Sequence, residues 1–218
     1  MTRIKVCGIT TPRDARLAAE AGADAIGLVF ARSPRRVSLE QAAAIVEDLP
    51  PHVLAVGVFV NEPAASVIRI AEALGLGEVQ LHGDEPPQSV GELRRWRVVK
   101  SLRVRDAASL DPVMRYADAG AVAVLLDAFS DRAAGGTGLL FDWELLARAR
   151  ESGAVGHNVP LIVAGGLTPT NVAECIGILR PWGVDVSSGV EDAPGVKSAD
   201  KIARFVAAVR GVDSGGSP

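Results

Sequence analysis

Eight short apolar runs separated by helical segments constrain the fold of this 218-residue chain more than any other feature. The runs are rich in Val and Ile and do not alternate with polar residues, which is typical of strands buried on both faces of a parallel sheet. They cover residues 4–8, 25–30, 53–60, 78–82, 97–102, 121–128, 161–166 and 183–189. Eight strand–helix units with right-handed crossovers predict a closed (β/α)8 barrel, and a doubly wound open sheet is the alternative.

Helix starts are marked by capping residues between the runs. Caps are predicted at Thr11, Ser38, Thr168 and Ser198, and Gln41 completes a capping box with Ser38. Proline follows both predicted threonine caps, where its missing N–H costs nothing. Apolar spacing predicts three further helices over residues 63–75, 87–95 and 142–152.

Composition narrows the class of protein. We expect one barrel domain over residues 1–210, followed by a disordered tail over 211–218. The formal net charge of −3 gives no electrostatic case for nucleic acid as a partner. No apolar stretch approaches the roughly 18–20 residues of a membrane span, so no membrane contact is expected. The polar N-terminus does not resemble a signal peptide, which predicts a cytoplasmic protein. The same barrel can be monomeric or dimeric, so we expect a monomer or a homodimer.

Two cysteines and three histidines are scattered along the chain without metal-ligand spacing. We therefore predict no metal site, and we expect Cys7 and Cys175 to be reduced thiols rather than a disulfide. Cys175 lies inside a predicted helix and is interpreted as core filler. Cys7 ends the first strand, where it is either a small buried residue or a reactive group.

Active sites of (β/α)8 barrels lie at the carboxyl ends of the strands. The candidates are therefore the polar and small residues that end the runs: Cys7, His82, Asp127, Gly165, Gly166, Asp185, Ser188, Gly189 and an arginine of the loop after strand 2. That loop holds Arg32, Arg35 and Arg36, and we select Arg36 as a partner for a substrate carboxylate. These candidates also have plainer interpretations. In these, the arginines simply belong to a solvated loop, the glycines form turns, and His82 only hydrogen-bonds within its loop.

Residue chemistry suggests what these candidates do. Small residues after strands 7 and 8 let backbone N–H groups approach an anion, and barrels often bind phosphate there. Asp127 ends a very apolar run, where it is a cap, an ion-pair partner or a general acid. Lys5 shares a strand face with Cys7, so it is expected inside the barrel, lowering the thiol pKa and favouring a thiolate base.

An ordered set of motifs runs along the whole barrel. The set is KVCGIT, FARSPRRVS, GVFVN, VQLHGDE, LLDA, GGTG, FDW, IVAGGLTPTNV and GVDVSSGVEDAPGVKSADKI. Together these pieces resemble the phosphoribosylanthranilate isomerase family of tryptophan biosynthesis. The resemblance implies a single-domain TIM barrel of the ribulose-phosphate-binding type.

The resemblance also implies the chemistry. The family catalyses the Amadori rearrangement of N-(5′-phosphoribosyl)anthranilate to 1-(2-carboxyphenylamino)-1-deoxyribulose 5-phosphate and uses no cofactor or metal. By residue matching, Cys7 is the general base, Asp127 the general acid, and Arg36 the ligand of the anthranilate carboxylate. Lys5, His82 and Asp185 stay in the set of substrate-site candidates.

Two rival functions follow from the same fold. The related histidine-pathway aminoaldose isomerase performs similar chemistry, but its first-strand base is a carboxylate where this chain has Cys7. A non-catalytic phosphosugar-binding protein would keep the glycines and lose the acid or the base, whereas this chain has both Cys7 and Asp127.

Overall fold

The computed structural model describes residues 1–128, 143–153, 155–156 and 158–215, and its eight parallel strands form a closed barrel in chain order. The strands are β1 (Arg3–Cys7), β2 (Ala25–Val29), β3 (Leu54–Phe59), β4 (Glu78–Leu81), β5 (Arg97–Val104), β6 (Ala123–Ala128), β7 (Leu161–Ala164) and β8 (Gly183–Val186). The predicted (β/α)8 barrel is confirmed, and the open-sheet alternative is excluded because β1 pairs with both β2 and β8.

The helices surround the barrel. They are α1 (Pro12–Ala21), α2 (Leu39–Glu47), α3 (Ala64–Ala73), α4 (Gln88–Glu92), α5 (Val113–Asp118), α6 (Trp143–Glu151), α7 (Val172–Leu179) and α8 (Ala199–Asp213). Thr11 caps α1 by accepting a hydrogen bond from the Asp14 amide, and Ser38 and Gln41 form the predicted capping box of α2. A short antiparallel pair, β9 (Glu191–Ala193) and β10 (Val196–Lys197), precedes α8.

The buried apolar residues form two clusters, because each strand of the barrel has two buried faces. The larger cluster packs strands against helices. The smaller one contains Val99, Ala123, Leu125, Ile162 and Ala164. Ala123 and Leu125 alternate toward Asp127 on β6, so this cluster fills the barrel interior and its upper layer is polar.

The predicted cap at Thr168 is wrong. Helix α7 begins at Val172, with Asn171 before it. The Asn171 side chain instead braces the preceding loop, because its Oδ1 accepts from the Thr168 amide at 2.8 Å and its Nδ2 donates to the Gly166 carbonyl at 2.9 Å. The Thr168 hydroxyl pairs with that of Thr170 at 2.9 Å and accepts from the Thr170 amide at 3.3 Å, so its contacts lie within the turn before α7.

The predicted boundary at residue 210 is also too early. Helix α8 continues to Asp213, so three residues of the expected disordered tail are helical. The reason is tertiary: the Asp213 carboxylate accepts hydrogen bonds from the backbone N–H and hydroxyl of Thr2, at 2.9 and 2.8 Å. These bonds fasten the last helical turn to the start of the chain.

Two further predictions fall outside the described residues: the glycine-rich GGTG segment at 135–138 and the last three residues of the chain. Across the described part, no helix is long and apolar enough to cross a bilayer. Both cysteines are free thiols.

Candidate active site

A cavity of about 340 Å³ opens at the carboxyl ends of the barrel strands. Seven predicted residues line it: Cys7, His82, Asp127, Gly165, Gly166, Asp185 and Ser188. The topology brings them together because parallel strands in a closed barrel all end at the same rim. Lys5, Arg36 and Gly189 are not part of the described lining.

Cys7 is the last residue of β1 and is partly buried. Burial raises the pKa of its thiol. The Lys5 ammonium and, more weakly, the Lys197 ammonium oppose this rise. The Asp185 carboxylate adds to the rise. The expectation of a lowered pKa is therefore wrong in its net direction, although Lys5 does act on the thiol in the expected sense.

Lys5 lies inside the barrel, as predicted, and forms a buried ion pair with Asp185. Its Nζ is 2.6 Å from Asp185 Oδ2, and each side chain is 6% exposed. Burial alone would lower the pKa of Lys5, but the Asp185 carboxylate, together with Cys7, raises it above its ordinary value. Lys5 therefore stays a cation beneath the thiol.

The second carboxylate oxygen of Asp185 has a different environment. Asp185 Oδ1 is buried and has no hydrogen-bond partner among the described residues. Asp185 also lines the cavity. Because a buried oxygen without a donor is costly, this atom is suited to accept a hydrogen bond from a ligand hydroxyl or amine.

Asp127 lies on β6 with its side chain 30% exposed, and His82 contacts it from the end of β4. His82 Nε2 is 3.2 Å from Asp127 Oδ2, and His82 Nδ1 is 2.8 Å from Gln80 Nε2. Because the Gln80 amide nitrogen can only donate, Nδ1 accepts and Nε2 carries the proton. His82 therefore donates to Asp127, whose Oδ1 has no hydrogen bond within the part of the chain that the structure describes.

The loops after β7 and β8 form a cradle of small residues. Gly165 and Gly166 have φ values of 83° and 68°, in the left-handed region that favours glycine. Gly189 lies behind the cavity wall, where any side chain would collide with the Leu167 carbonyl of the neighbouring loop. The two loops can approach this closely only because residue 189 has no Cβ.

The arginine chosen from the sequence is not the one that reaches the cavity. Arg36 is exposed, whereas Arg35, like Arg32, lines the cavity. Arg35 is held by Glu191, whose carboxylate accepts from its Nε at 2.7 Å and its Nη2 at 2.6 Å. Sequence spacing within one loop could not show which of two adjacent side chains turns inward.

Besides Arg35, three residues contact the site residues but are not among the candidates from the sequence: Gln80, Glu191 and Lys197. Gln80 shares a strand face with His82, so the alternation of β4 could have indicated it. Glu191 and Lys197 lie in the motif GVDVSSGVEDAPGVKSADKI. They pair across the antiparallel strands β9 and β10, and no periodicity in the sequence indicates that pairing.

The described residues contain no cluster of three or more side chains suited to a metal ion. The mouth of the barrel instead brings together a thiol, a carboxyl group hydrogen-bonded to a histidine, and a cradle of small residues. These features define the class of (β/α)8 enzymes that act on phosphorylated sugars by acid–base chemistry.

Residues 4–208 match the sequence profile of N-(5′phosphoribosyl)anthranilate (PRA) isomerase. The chain is 50% identical to the N-(5′-phosphoribosyl)anthranilate isomerase of Geobacter sulfurreducens, over 97% of this chain and 100% of that protein. It is also 50% identical to the enzyme of Rubrobacter xylanophilus, over 96% of this chain and 100% of that protein. The chain therefore belongs to the N-(5′-phosphoribosyl)anthranilate isomerase family.

Solved structures agree with this assignment. The phosphoribosyl anthranilate isomerase of Thermotoga maritima superposes with a TM-score of 0.87 at 39% identity, covering 97% of this chain and 100% of that one. A second structure of such an isomerase, in complex with reduced 1-(o-carboxyphenylamino)-1-deoxyribulose 5-phosphate, superposes with a TM-score of 0.84 at 38% identity and the same coverage.

Proposed function

We propose that this protein catalyses the Amadori rearrangement of N-(5′-phosphoribosyl)anthranilate in tryptophan biosynthesis, with Cys7 as general base and Asp127 as general acid. Family membership supports the reaction, and one observation supports the assignment of the pair: Cys7 and Asp127 line the same cavity from different strands. A phosphorylated sugar held between them is exposed to an acid and a base at once.

The first step opens the sugar ring. Protonated Asp127 donates its proton to the furanose ring oxygen, the bond from that oxygen to C1′ breaks, and the anilino nitrogen forms a Schiff-base cation with C1′. His82 supports this step because it donates to Oδ2 and leaves Oδ1 to carry the transferred proton. General acid catalysis of this kind contributes typically ~10²–10⁴-fold.

The second step removes the proton from C2′. The Schiff-base cation makes this proton acidic, and the Cys7 thiolate accepts it, giving a neutral enolamine. The net change of the enolamine to the ketone moves a proton from the C2′ hydroxyl to C1′. Over one turnover Asp127 has lost a proton and Cys7 has gained one, so exchange with solvent restores the starting state.

The rest of the cavity holds the substrate. The cradle formed by Gly165, Gly166 and Ser188 binds the 5′-phosphate through backbone N–H groups, with Gly189 permitting the close approach of the two loops. Arg35, rather than Arg36, binds the anthranilate carboxylate, because Arg35 is the one at the cavity wall. The free oxygen of Asp185 accepts a ribose hydroxyl.

We also propose that the enzyme works in the cytoplasm. A catalytic thiol at Cys7 has to remain reduced, and the reducing environment of the cytosol maintains it.

The test follows the fluorescence of freshly generated N-(5′-phosphoribosyl)anthranilate with the wild-type protein, Cys7→Ser and Asp127→Asn. We expect rapid loss with wild type and kcat lowered by ~10²–10⁴-fold in each variant. Both variants should still bind the reduced product analogue. No turnover by wild type would refute the substrate assignment, and full turnover by either variant would refute the role of that residue.

A further inference from the structure

A buried carboxylate beside the active site is shared by two cations. Glu191, the first residue of β9, has a side chain that is 4% exposed. It accepts two hydrogen bonds from Arg35, and Lys197 Nζ lies 2.8 Å from its Oε1. We refer to Arg35, Glu191 and Lys197 as the Glu191 cluster. None of its members except Arg35 lines the cavity, so none of the catalytic steps above uses Glu191 or Lys197.

Lys197 connects the cluster to the anion cradle. Its side chain is completely buried, and its Nζ donates to the Ser187 carbonyl at 3.1 Å as well as to Glu191. Ser187 lines the cavity immediately before Ser188. Lys197 therefore ties the position of the Glu191 carboxylate to the loop after β8.

Arg35 connects the cluster to the thiol side of the cavity. Its aliphatic stem lies against Gly8, the residue after Cys7, and a side chain at position 8 would collide with it. Nε and Nη2 of the guanidinium are both committed to Glu191. Nη1 has no hydrogen bond to the described residues, so the group is fixed in orientation while one nitrogen remains for a ligand.

We propose that Glu191 is a positioning residue that holds Arg35 at the cavity wall and thereby sets the preference for a carboxylate-bearing arylamine. This inference rests on the proposed function, in which Arg35 binds that carboxylate. The two hydrogen bonds to Glu191 fix the rotamer of Arg35 before a ligand binds. Binding then does not have to order this long side chain, so less conformational entropy is lost. The cluster also carries two cations and one anion, so it keeps one positive charge for the ligand.

The test compares two ligands in wild type and Glu191→Gln. One is the reduced product analogue with its benzoate carboxylate, and the other is the same compound with phenyl in place of carboxyphenyl. We expect Glu191→Gln to lose about tenfold or more in affinity for the carboxylated ligand, the scale of a hydrogen bond to a charged group. Affinity for the phenyl ligand should change by less than about threefold, and KM should rise more than kcat falls.

A matched control is Glu78→Gln. Glu78 is a similarly buried carboxylate, 2% exposed, that pairs with Arg3 and Arg97 at the opposite end of the barrel. This variant should lower the melting temperature without changing the ratio of the two affinities. If Glu191→Gln weakens both ligands equally or neither, Glu191 does not position Arg35 and the proposal is overturned.

A second variant keeps the proposal testable if Glu191→Gln does not fold. Arg35→Lys retains the charge but cannot hold both carboxylate oxygens of Glu191 in the arginine geometry. The proposal predicts the same selective loss for the carboxylated ligand, and an unchanged affinity ratio would refute it. A wild-type protein that does not isomerise N-(5′-phosphoribosyl)anthranilate would refute the proposed function instead, since the affinity ratio is measured without turnover.

Discussion

Nε2 of His82 donates to Oδ2 of Asp127 across 3.2 Å, while Gln80 holds the other ring nitrogen of the histidine. The contact with Gln80 fixes which nitrogen of His82 carries the proton, and the contact with His82 engages one of the two carboxyl oxygens of Asp127. His82 is thus more than a loop residue: it orients the group proposed as the general acid.

Replacing His82 should slow the reaction without weakening binding. His82→Ala frees the Asp127 side chain to rotate, and misorientation of a catalytic group is expected to lower kcat by about tenfold to a hundredfold. Steady-state kinetics measure this, with His52→Ala as control because His52 is exposed on the loop before β3. A change in KM with kcat preserved would contradict an orienting role for His82.

Lys5→Met should make Cys7 less reactive. The Lys5 ammonium opposes the rise in the Cys7 pKa, so its removal raises that pKa further. Each additional unit reduces the thiolate fraction below the pKa about tenfold. We expect slower alkylation of Cys7 by iodoacetamide at pH 8 and a shift of the rise in kcat/KM to higher pH.

The control for this experiment addresses the carboxylate left unpaired. Loss of one partner of a buried ion pair costs about 3–5 kcal/mol, so Lys5→Met is compared with Lys5→Met/Asp185→Asn in chemical unfolding. Cys7→Ser identifies the reacting thiol, since burial raises the pKa of Cys175 to about 12 and keeps it inert. An unchanged alkylation rate in Lys5→Met would show that Lys5 does not influence the thiol.

Gly189→Ala should damage the phosphate cradle. A methyl group at this position would collide with the Leu167 carbonyl, so the loops after β7 and β8 have to separate. We expect KM to rise by about tenfold or more, and inorganic phosphate to become a weaker competitive inhibitor. Gly177→Ala, which has open space around it on α7, is the matched control and should behave like wild type.

The Glu191 cluster makes stability depend on acid pH. Burial favours the neutral carboxyl, yet the hydrogen bonds from Arg35 and Lys197 lower the pKa of Glu191 to about 2. A lowered folded-state pKa gives stability that is complete above the ordinary value of 4.5 and is lost as the pH falls toward about 2. Wild type should therefore be more stable than Glu191→Gln at pH 6. As the pH falls from 6 to 3, the difference between their free energies of unfolding should shrink by on the order of 2 kcal/mol. A constant difference over this range would show that the pKa of Glu191 is the same in the folded and the unfolded protein, so that Arg35 and Lys197 do not lower it.

Local patterns in the sequence were sufficient for the barrel and for much of its site. Unalternating apolar runs identify strands buried on both faces, and once eight of them are counted, the residues that end them have to meet at one rim. The sequence predicts Cys7, His82 and Asp127 in this way, because each lies at the carboxyl end of its strand or directly after it.

Tertiary structure decided what strand periodicity does not encode. The choice of Arg35 over Arg36 depends on Glu191, which lies 156 positions away along the chain. The net rise in the Cys7 pKa depends on burial outweighing Lys5, a balance that no sequence pattern contains. Helix α8 extends beyond residue 210 because Asp213 binds Thr2. The sequence by itself determined which residues end the strands, since strand order and alternation are local properties; the tertiary structure decided side-chain direction, charge pairing and pKa, since these arise from contacts between residues distant in the chain.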